Sequence, residues 1–458
     1  MDSIAVVLFI ALGAATSLAL QLVRDGRERA FLMRLFWFAF GLRFAFALIL
    51  YATGLINVLG GADDTGWQGM WGISQAWHDF GPDSLATVYA PDVIKANPGW
   101  RYFGTYFYYL LGEGSQGALA VLNCYANTLM VLVTYQSARL FFSPRACGFV
   151  AWVAAIMPGF LIWSALTVKE SWLILFQIST FYVVWKFSRQ RNPLVMLAQI
   201  ATIGGLMALT LGFRFYAVNS LAVGLIMTLF CCWSRWPVRA AGFGVLLLAL
   251  VYFSLASVGY VRFDVASITA SRIAELDTFR TNISDASQEG TNSAVTFDFD
   301  TTTPVGAMLM LGAGSIYLLL SPFPWQINSL SQAAALPDVL LWWWLVFKFI
   351  LPGIRYGWSR YQAMTISLAA FILPLFLFYA FIFGNVGLAY RQRAQLMPFM
   401  LVFAAAGYEM RERKERQRER SWEEERARRT RQKSWQCCAR SGDETRRKLG
   451  RRTRKSRW

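Results

Sequence analysis

The stretch MPGFLIWSALTVKESWLIL, residues 157–175, joins two strongly apolar runs through a short connection that holds Lys169 and Glu170. Pro158 has no backbone N–H and its ring obstructs the preceding turn, so a helix that reaches it ends or bends there. The runs on either side, residues 147–166 and 171–187, each suit a membrane-spanning helix. The stretch therefore predicts two consecutive spans, the first of them bent, with a charged connection between them.

The rest of the chain has the same character. Its 458 residues are 56% hydrophobic and 16% aromatic. Further apolar runs of spanning length lie near residues 4–22, 35–58, 116–138, 193–212, 216–233, 240–260, 338–354, 363–384 and 393–408. Together with the two runs above they predict an all-α polytopic membrane protein with about eleven transmembrane helices.

The charge distribution predicts the orientation of these helices. The formal net charge is +17, but residues 409–458 alone hold 20 Lys and Arg against 9 Asp and Glu. The connections RDGRERAFLMR, SPRA, KFSRQRN and SRWPVR are basic, whereas residues 60–101 carry five acids against two cations. Because basic connections stay in the cytoplasm, we expect the N-terminus and the acidic loops outside and the tail inside. Membrane orientation thus explains the basic excess, and no nucleic-acid partner is expected.

These spans and loops divide the chain into five expected parts. They are an extra N-terminal helix with a basic cytoplasmic loop (1–34), an N-terminal core (35–261) with a first external loop (60–103), an external loop (262–337), C-terminal helices (338–408) and a basic cytoplasmic tail (409–458). Within the long loop, residues 304–321 are apolar, but a full crossing there would place the tail outside. We therefore expect a re-entrant or interfacial element that runs into SPFPWQIN, whose prolines would break a spanning helix.

Two adjacent acids, Asp63 and Asp64, directly follow the second apolar run. They precede TGWQGMWGISQAW, which suits an amphipathic helix on the membrane surface. One interpretation is that Asp64 or Thr65 caps that helix. The other is catalytic, because a carboxylate beside a low-dielectric boundary can be tuned as a base.

Cations recur at the predicted external ends of the helices. Lys169 stands beside Glu170, Arg214 lies in LGFRFYAV, and Arg391 and Arg393 lie in YRQRAQLMPF. Each of them could be an interfacial salt bridge or a snorkelled anchor. Taken together, on the side where cations are disfavoured, they favour an anionic ligand, and the planar arginine fork suits a phosphate. Glu170 would then orient Lys169 or hold a hydroxyl.

Other candidate residues are weaker indications of a functional site. His78 is the only histidine, so no His-rich metal site can form, and no metal ligand is assigned. The triplet DFD at residues 298–300 resembles an acid-x-acid pattern that holds a divalent ion. A divalent metal ion is therefore the one cofactor that the sequence suggests, and no cofactor is assigned. Arg43, about a third of the way into the second apolar run, is interpreted as a structural residue that snorkels toward the cytoplasm.

The missing motifs limit the substrate. The six cysteines have neither disulfide nor paired metal-binding spacing. The chain contains no GxGxxG, GxxxxGK[ST] or GxSxG motif and no soluble domain large enough for a nucleotide sugar. A phosphate-bearing substrate would therefore reach the outer face on a lipid carrier whose tail stays in the bilayer.

Three stretches resemble a known family. They are GLRFAFAL followed by an external loop that opens with ADD and continues to NPGWRYFGTYFYYLLG, then MPGFLIWSALTVKESWLIL, and finally YRQRAQLMPFMLVFAAAGYE. They resemble the GT-C superfamily, the polyprenyl-phosphate-sugar-dependent glycosyltransferases related to protein O-mannosyltransferases and aminoarabinose transferases. The resemblance covers most of residues 35–408. The extra N-terminal helix and the lack of a sizeable C-terminal periplasmic domain depart from the family pattern, so acceptor recognition would fall to the loop at 262–337.

The resemblance implies a site and a reaction. The family's catalytic base, an acid of the first external loop, falls on Asp63 or Asp64, and its donor-phosphate contacts fall on Lys169, Arg391 and Arg393. The implied activity is inverting transfer of a hexose or pentose from a polyprenyl-phosphate donor to a hydroxyl of a glycan, lipid or protein on the extracytoplasmic face. Separately, the short loops and the lack of disulfide-like cysteine spacing favour a bacterial inner membrane. The alternatives are an O-antigen-type polysaccharide polymerase or ligase, which uses a diphosphate donor, and a transporter or flippase for a lipid-linked sugar.

Overall fold

The structure is a computed structural model, and it describes residues 2–56, 66–82, 98–234, 299, 303–327 and 330–455. Every regular secondary-structure element in these ranges is a helix, and the α-helices are numbered in chain order. They are α1 Ser3–Leu20, α2 Gly26–Thr53, α3 Gly66–Phe80, α4 Pro98–Leu111, α5 Gln116–Arg139, α6 Pro144–Ile156, α7 Pro158–Ala165, α8 Glu170–Phe187, α9 Pro193–Phe213, α10 Ala217–Trp233, α11 Pro304–Leu320, α12 Leu330–Leu345, α13 Leu351–Arg360, α14 Gln362–Phe381 and α15 Val386–Lys455. The predicted all-α class is confirmed for this part of the chain.

The chain is an integral membrane protein. Within the described ranges six helical segments are long and apolar enough to cross a bilayer, and a seventh is obtained if α6 and α7 count as one broken span. Two shorter apolar helices, α10 and α11, have 17 residues each. The predicted crossing at 240–260 lies outside the described residues, so the count of eleven stays a prediction.

Helix starts and stops follow local sequence signals. Asp2, Asp25, Ser115, Ser143, Asn192 and Thr303 each cap a helix by accepting a backbone N–H. Pro158 ends α6 and begins α7, and the two axes differ by 50°. The bend predicted from MPG is therefore confirmed, and we call this junction the Pro158 break.

The core is organised around α5. This helix packs against α1, α2, α6, α7 and α8, and it is buried around most of its circumference. Small residues such as Ala118 and Ala126 allow close helix approach, while Asn123 and Asn127 lie one turn apart on the same face. Buried amides in an apolar core need partners, and these two asparagines contact the segment that follows the Pro158 break.

Two helices, α15 and α12, begin earlier than the sequence predicts. The last predicted span, residues 393–408, begins earlier, at Val386, so Arg391 and Arg393 both lie inside α15. The apolar stretch expected to be re-entrant or interfacial forms α11, which ends at Leu320 before the two prolines of SPFPWQIN; whether it crosses the membrane stays a prediction. The next helix begins at Leu330, well before the expected residue 338, and continues through Pro337.

Residues 1–407 form one compact unit and residues 408–458 a second. In the second unit, α15 continues as a highly charged helix. Ion pairs one turn apart join Arg413 to Glu409, Arg416 to Glu412 and Arg429 to Glu425. Such pairs contribute only a few tenths of a kcal/mol each, about 0.3–0.5 kcal/mol. Within the described residues the tail is therefore helical.

Close packing between α11 and α14 generates a prediction. A Cβ on Gly314 would collide with the backbone carbonyl of Ala380, whereas Gly312, on the same helix, faces open space. Gly314→Ala should lower stability by about 1–3 kcal/mol, the usual cost of overpacking. The measurement is the thermal unfolding midpoint in detergent. Gly312→Ala is the matched control, and equal midpoints for the two variants would contradict this packing.

Candidate anion-binding site

Glu170 is the first residue of α8, and its side chain is completely buried. Its Oε1 accepts a hydrogen bond from Arg214 Nη2 at 3.2 Å. The same oxygen lies 2.6 Å from Arg391 Nε, close enough for a strong ion pair. We call Lys169, Glu170, Arg214 and Arg391 the Glu170 cluster.

Three helices deliver these charges to one place. Glu170 stands at the N-terminus of α8, where a carboxylate is favoured by the helix dipole. Arg214 is the C-cap of α9, where a cation is favoured for the same reason. Arg391 lies in the second turn of α15. The cluster thus brings together Glu170, Arg214 and Arg391, three residues singled out in the sequence that are far apart along the chain.

A chain of side chains holds Arg214 in place. Its Nη1 donates to the Tyr379 hydroxyl at 3.1 Å. That hydroxyl donates to Gln395 Oε1 at 2.8 Å, and Gln177 Nε2 donates to the same oxygen at 3.5 Å. Because two of the groups come from α14 and α15, the guanidinium orientation is determined by the packing of the bundle.

The cluster has an excess of positive charge and a graded exposure. Two arginines contact one carboxylate, and Lys169 is its neighbour in the chain. The side chain of Glu170 is 0% exposed while that of Arg391 is 16% exposed. Lys169 is also largely buried. Arg391 stacks with its guanidinium carbon 6.0 Å from the ring centre of Trp163. The carboxylate therefore faces inward, and the partly exposed guanidinium is the group that an incoming anion would meet.

The lowered pKa of Glu170 disfavours a role as general base. Glu170 precedes the apolar part of its helix and lies outside the segments of spanning length. Burial opposes its ionisation, but Arg391 and then Arg214 outweigh burial and lower its pKa from 4.5 to about 2. A carboxylate this acidic is a poor proton acceptor near neutral pH. Glu170 is thus suited to orienting the arginines and not to base catalysis.

Arg393 lies in a separate, closed site. Its side chain is fully buried, and its Nη2 is 3.6 Å from Asp338 Oδ2. Its Nη1 donates to the carbonyls of Ser321 at 2.6 Å and Leu319 at 3.2 Å. The structure therefore brings Arg393 to Asp338 and not to Glu170. The role of Arg393 as a donor-phosphate contact stays a prediction.

Asp338 was not predicted from the sequence to be part of a site. It falls at the start of an expected span, directly after Pro337 in the apolar run LPDVLLWWW. A lone acid in such a run is a signal that it has a buried partner. Nothing in the sequence shows that the partner is Arg393, more than 50 residues away.

Other predicted residues have varied outcomes. Asp63 and Asp64 lie outside the described residues, and so does the DFD triplet apart from Phe299. The amphipathic helix expected after the two acids is α3, and Arg101 Nη1 of α4 donates to the Gly66 carbonyl at its start at 2.6 Å. His78 stacks on Tyr109 at 4.4 Å between ring centres. Within the described ranges no cluster of three metal-ligating side chains occurs.

Comparisons with known proteins give a limited likeness. No family model matches the chain, and no curated protein sequence matches it. The archaeal oligosaccharyltransferase AglB from Archaeoglobus fulgidus, solved with an inhibitory peptide and a dolichol-phosphate, is similar with a TM-score of 0.44 and 13% identity, over 84% of this chain and 50% of that chain. The apo form of an oligosaccharyltransferase from the same organism is similar with a TM-score of 0.42 and 15% identity. That likeness covers 81% of this chain and 50% of the other chain.

This chain spans about half the length of either of these two oligosaccharyltransferases. The likeness is one of overall helix arrangement, and no residue is assigned a role from it.

The buried charge of Glu170 generates a prediction. Glu170→Gln leaves two cations without their carboxylate, so the free energy of unfolding should fall by about 3 kcal/mol, as for a broken buried ion pair. Thermal unfolding in detergent measures it. Glu28→Gln is the matched control, because Glu28 lies 3.8 Å from Arg139 with both side chains more than a fifth exposed; its effect should stay below about 1 kcal/mol.

The same comparison has an expected pH dependence. Because the pKa of Glu170 is lowered in the folded state, its contribution is fully present above the unfolded value of 4.5 and is lost as the pH falls toward about 2. The stability difference between wild type and Glu170→Gln should therefore be constant between about pH 5 and 8 and shrink at lower pH. A difference that changes near neutral pH would contradict the proposed pairing.

Proposed function

We propose that the protein is a membrane glycosyltransferase that moves a sugar from a polyprenyl-phosphate donor to an acceptor hydroxyl on the extracytoplasmic face. The single observation that supports this most is the Glu170 cluster, in which arginines of two helices pair with a recessed carboxylate of a third. Such a site suits a phosphate whose lipid tail stays in the bilayer, because the arginine forks are held in place before the ligand arrives.

In the proposed reaction, Asp63 or Asp64 accepts the proton of the acceptor hydroxyl. The hydroxyl oxygen attacks the anomeric carbon from the face opposite the phosphate, and the bond from that carbon to the phosphate oxygen breaks. The configuration of the sugar is therefore inverted. A positioned general base typically contributes about 10²- to 10⁴-fold to the rate.

The leaving group carries away the electrons of the broken bond as negative charge on the lipid phosphate. Arg391 and Arg214 would stabilise that charge, with Lys169 beside them. Glu170 is proposed to orient the two guanidinium groups rather than to react. Fixed cations in a site that excludes water stabilise developing charge more strongly than the same cations do in water.

The first test is transfer by the purified protein. In detergent, without a sealed compartment, it should incorporate sugar from a polyprenyl-monophosphate donor into an acceptor hydroxyl. The Asp63→Asn/Asp64→Asn double variant should lose at least about 100-fold, the lower end of a general-base contribution. Full activity of that variant would remove the proposed base. Transfer only from a diphosphate donor would indicate a polymerase or ligase instead, and translocation without transfer would indicate a transporter.

A second prediction concerns the phosphate contact. Arg391→Lys keeps the charge but loses the fork, so the donor KM should rise by about tenfold, which corresponds to roughly 1.4 kcal/mol. Arg189→Lys is the matched control. Arg189 follows the far end of α8, on the order of 27 Å from Glu170 by helix rise, and stacks on Trp185. Equal donor KM values for the two variants would contradict a phosphate contact at Arg391.

A further inference from the structure

The Pro158 break leaves two buried backbone carbonyls without their usual helical partners. Pro158 has no N–H, so it cannot donate to the carbonyl of Ala154. The next N–H, that of Gly159, is 2.7 Å from Asp338 Oδ1 and donates to it instead of to the carbonyl of Ala155. Both alanines are completely buried, and a buried carbonyl without a partner costs about 1–3 kcal/mol. Another donor must therefore serve them.

Arg43 supplies that donor. Its Nη2 donates to Ala154 O at 3.2 Å and its Nη1 to Ala155 O at 3.1 Å. Nη1 also donates to Ala39 O at 3.1 Å, and Nε donates to Asn127 Oδ1 at 3.0 Å. The side chain is 0% exposed. Arg43 therefore does not snorkel toward the cytoplasm as expected from the sequence; it caps the end of α6.

The two charges at the break match the helix ends that they contact. The C-terminus of α6 carries the negative end of a helix dipole, and the Arg43 guanidinium contacts it. The N-terminus of α7 carries the positive end, and the Asp338 carboxylate contacts it. Opposite charges at helix ends are stabilising, most strongly where burial limits screening. A cation and an anion from two other helices thus hold the break from both sides.

The Pro158 break is linked to Arg391 on one side and to the connection that contains Glu170 on the other. Asp338 pairs with Arg393, which lies two residues after Arg391 on α15. On the other side, α7 leads directly into the connection that contains Lys169 and Glu170. Asn123 Nδ2 donates to the carbonyls in that connection, to Leu166 at 2.6 Å and to Val168 at 2.9 Å. A shift of α7 at the break would therefore move Glu170 relative to Arg391.

We propose that Arg43 and Asp338 are positioning residues for the phosphate-binding cations: by capping the two helix ends at the Pro158 break, they set the distance between Glu170 and Arg391. This inference rests on the proposed function only for the change that it predicts in the donor KM. Its structural part, the placement of the connection after α7, holds independently of any reaction.

The test separates the cap at Asp338 from its ion pair. In an Arg393→Gln background, so that no buried cation is left alone, Asp338→Asn keeps an acceptor for the Gly159 N–H and Asp338→Leu removes it. One readout is the acylation rate of Lys169, measured by peptide mass spectrometry after treatment with an amine reagent. Lys169 is 6% exposed, so displacement of the connection should accelerate its modification several-fold in the leucine variant and not in the asparagine variant.

The second readout is the donor. The leucine variant should show a donor KM about tenfold above that of the asparagine variant, equivalent to roughly 1.4 kcal/mol, with kcat changed much less. Equal Lys169 acylation and equal KM in two folded variants would overturn the proposal. If the wild-type protein transfers no sugar, the proposed function fails, and the acylation contrast still decides the positioning role.

Arg43 provides the same comparison should the leucine variant not fold. Arg43→Lys keeps a cation with several donors for the carbonyls of Ala154 and Ala155, whereas Arg43→Met keeps only the apolar stem. The lysine variant should retain slow Lys169 acylation and the wild-type donor KM. The methionine variant should show faster Lys169 acylation and a higher donor KM. A folded methionine variant that matches the lysine variant in both readouts would overturn the role of Arg43.

Discussion

The structure depends on one constraint: backbone polar groups in an apolar interior must find partners within the protein. A proline in the middle of a buried apolar helix pair violates that requirement at two carbonyls and creates a new helix N-terminus. Arg43 and Asp338 satisfy the groups thus exposed. A buried arginine without a carboxylate partner is costly in isolation. Here the guanidinium makes four hydrogen bonds to oxygen atoms and contacts the negative end of a helix.

The bundle contains two ionic sites that differ in kind. Arg393 and Asp338 are both completely buried, and Arg393 also donates to backbone carbonyls. Glu170 is buried as well, but its arginine partners retain some exposure. A closed pair can only hold helices together, whereas a pair with accessible donors can also bind. This contrast is the physical reason for placing the proposed phosphate contact at Arg391 rather than at Arg393.

Much of the architecture follows from local sequence. Spanning length, apolar composition and the cap residues before α1, α2, α5, α6, α9 and α11 are readable without the fold. The bend at Pro158 and the charged connection after it are also predictable, since proline acts on its own helix. The sequence predicts that the final span starts near residue 393. In the structure α15 starts at Val386, and neighbouring helices bury its polar side chains Gln392, Arg393 and Gln395.

The sequence by itself determined that this is a helical membrane protein with a break at Pro158 and cations at helix ends, because these properties depend on length, composition and nearest neighbours. Only the tertiary structure decided which charges meet. Arg391 pairs with Glu170 and Arg393 with Asp338, although the two arginines are two residues apart. The reason is geometric: the side chains of residues i and i+2 of a helix point in different directions, so two arginines that are two positions apart contact different helices.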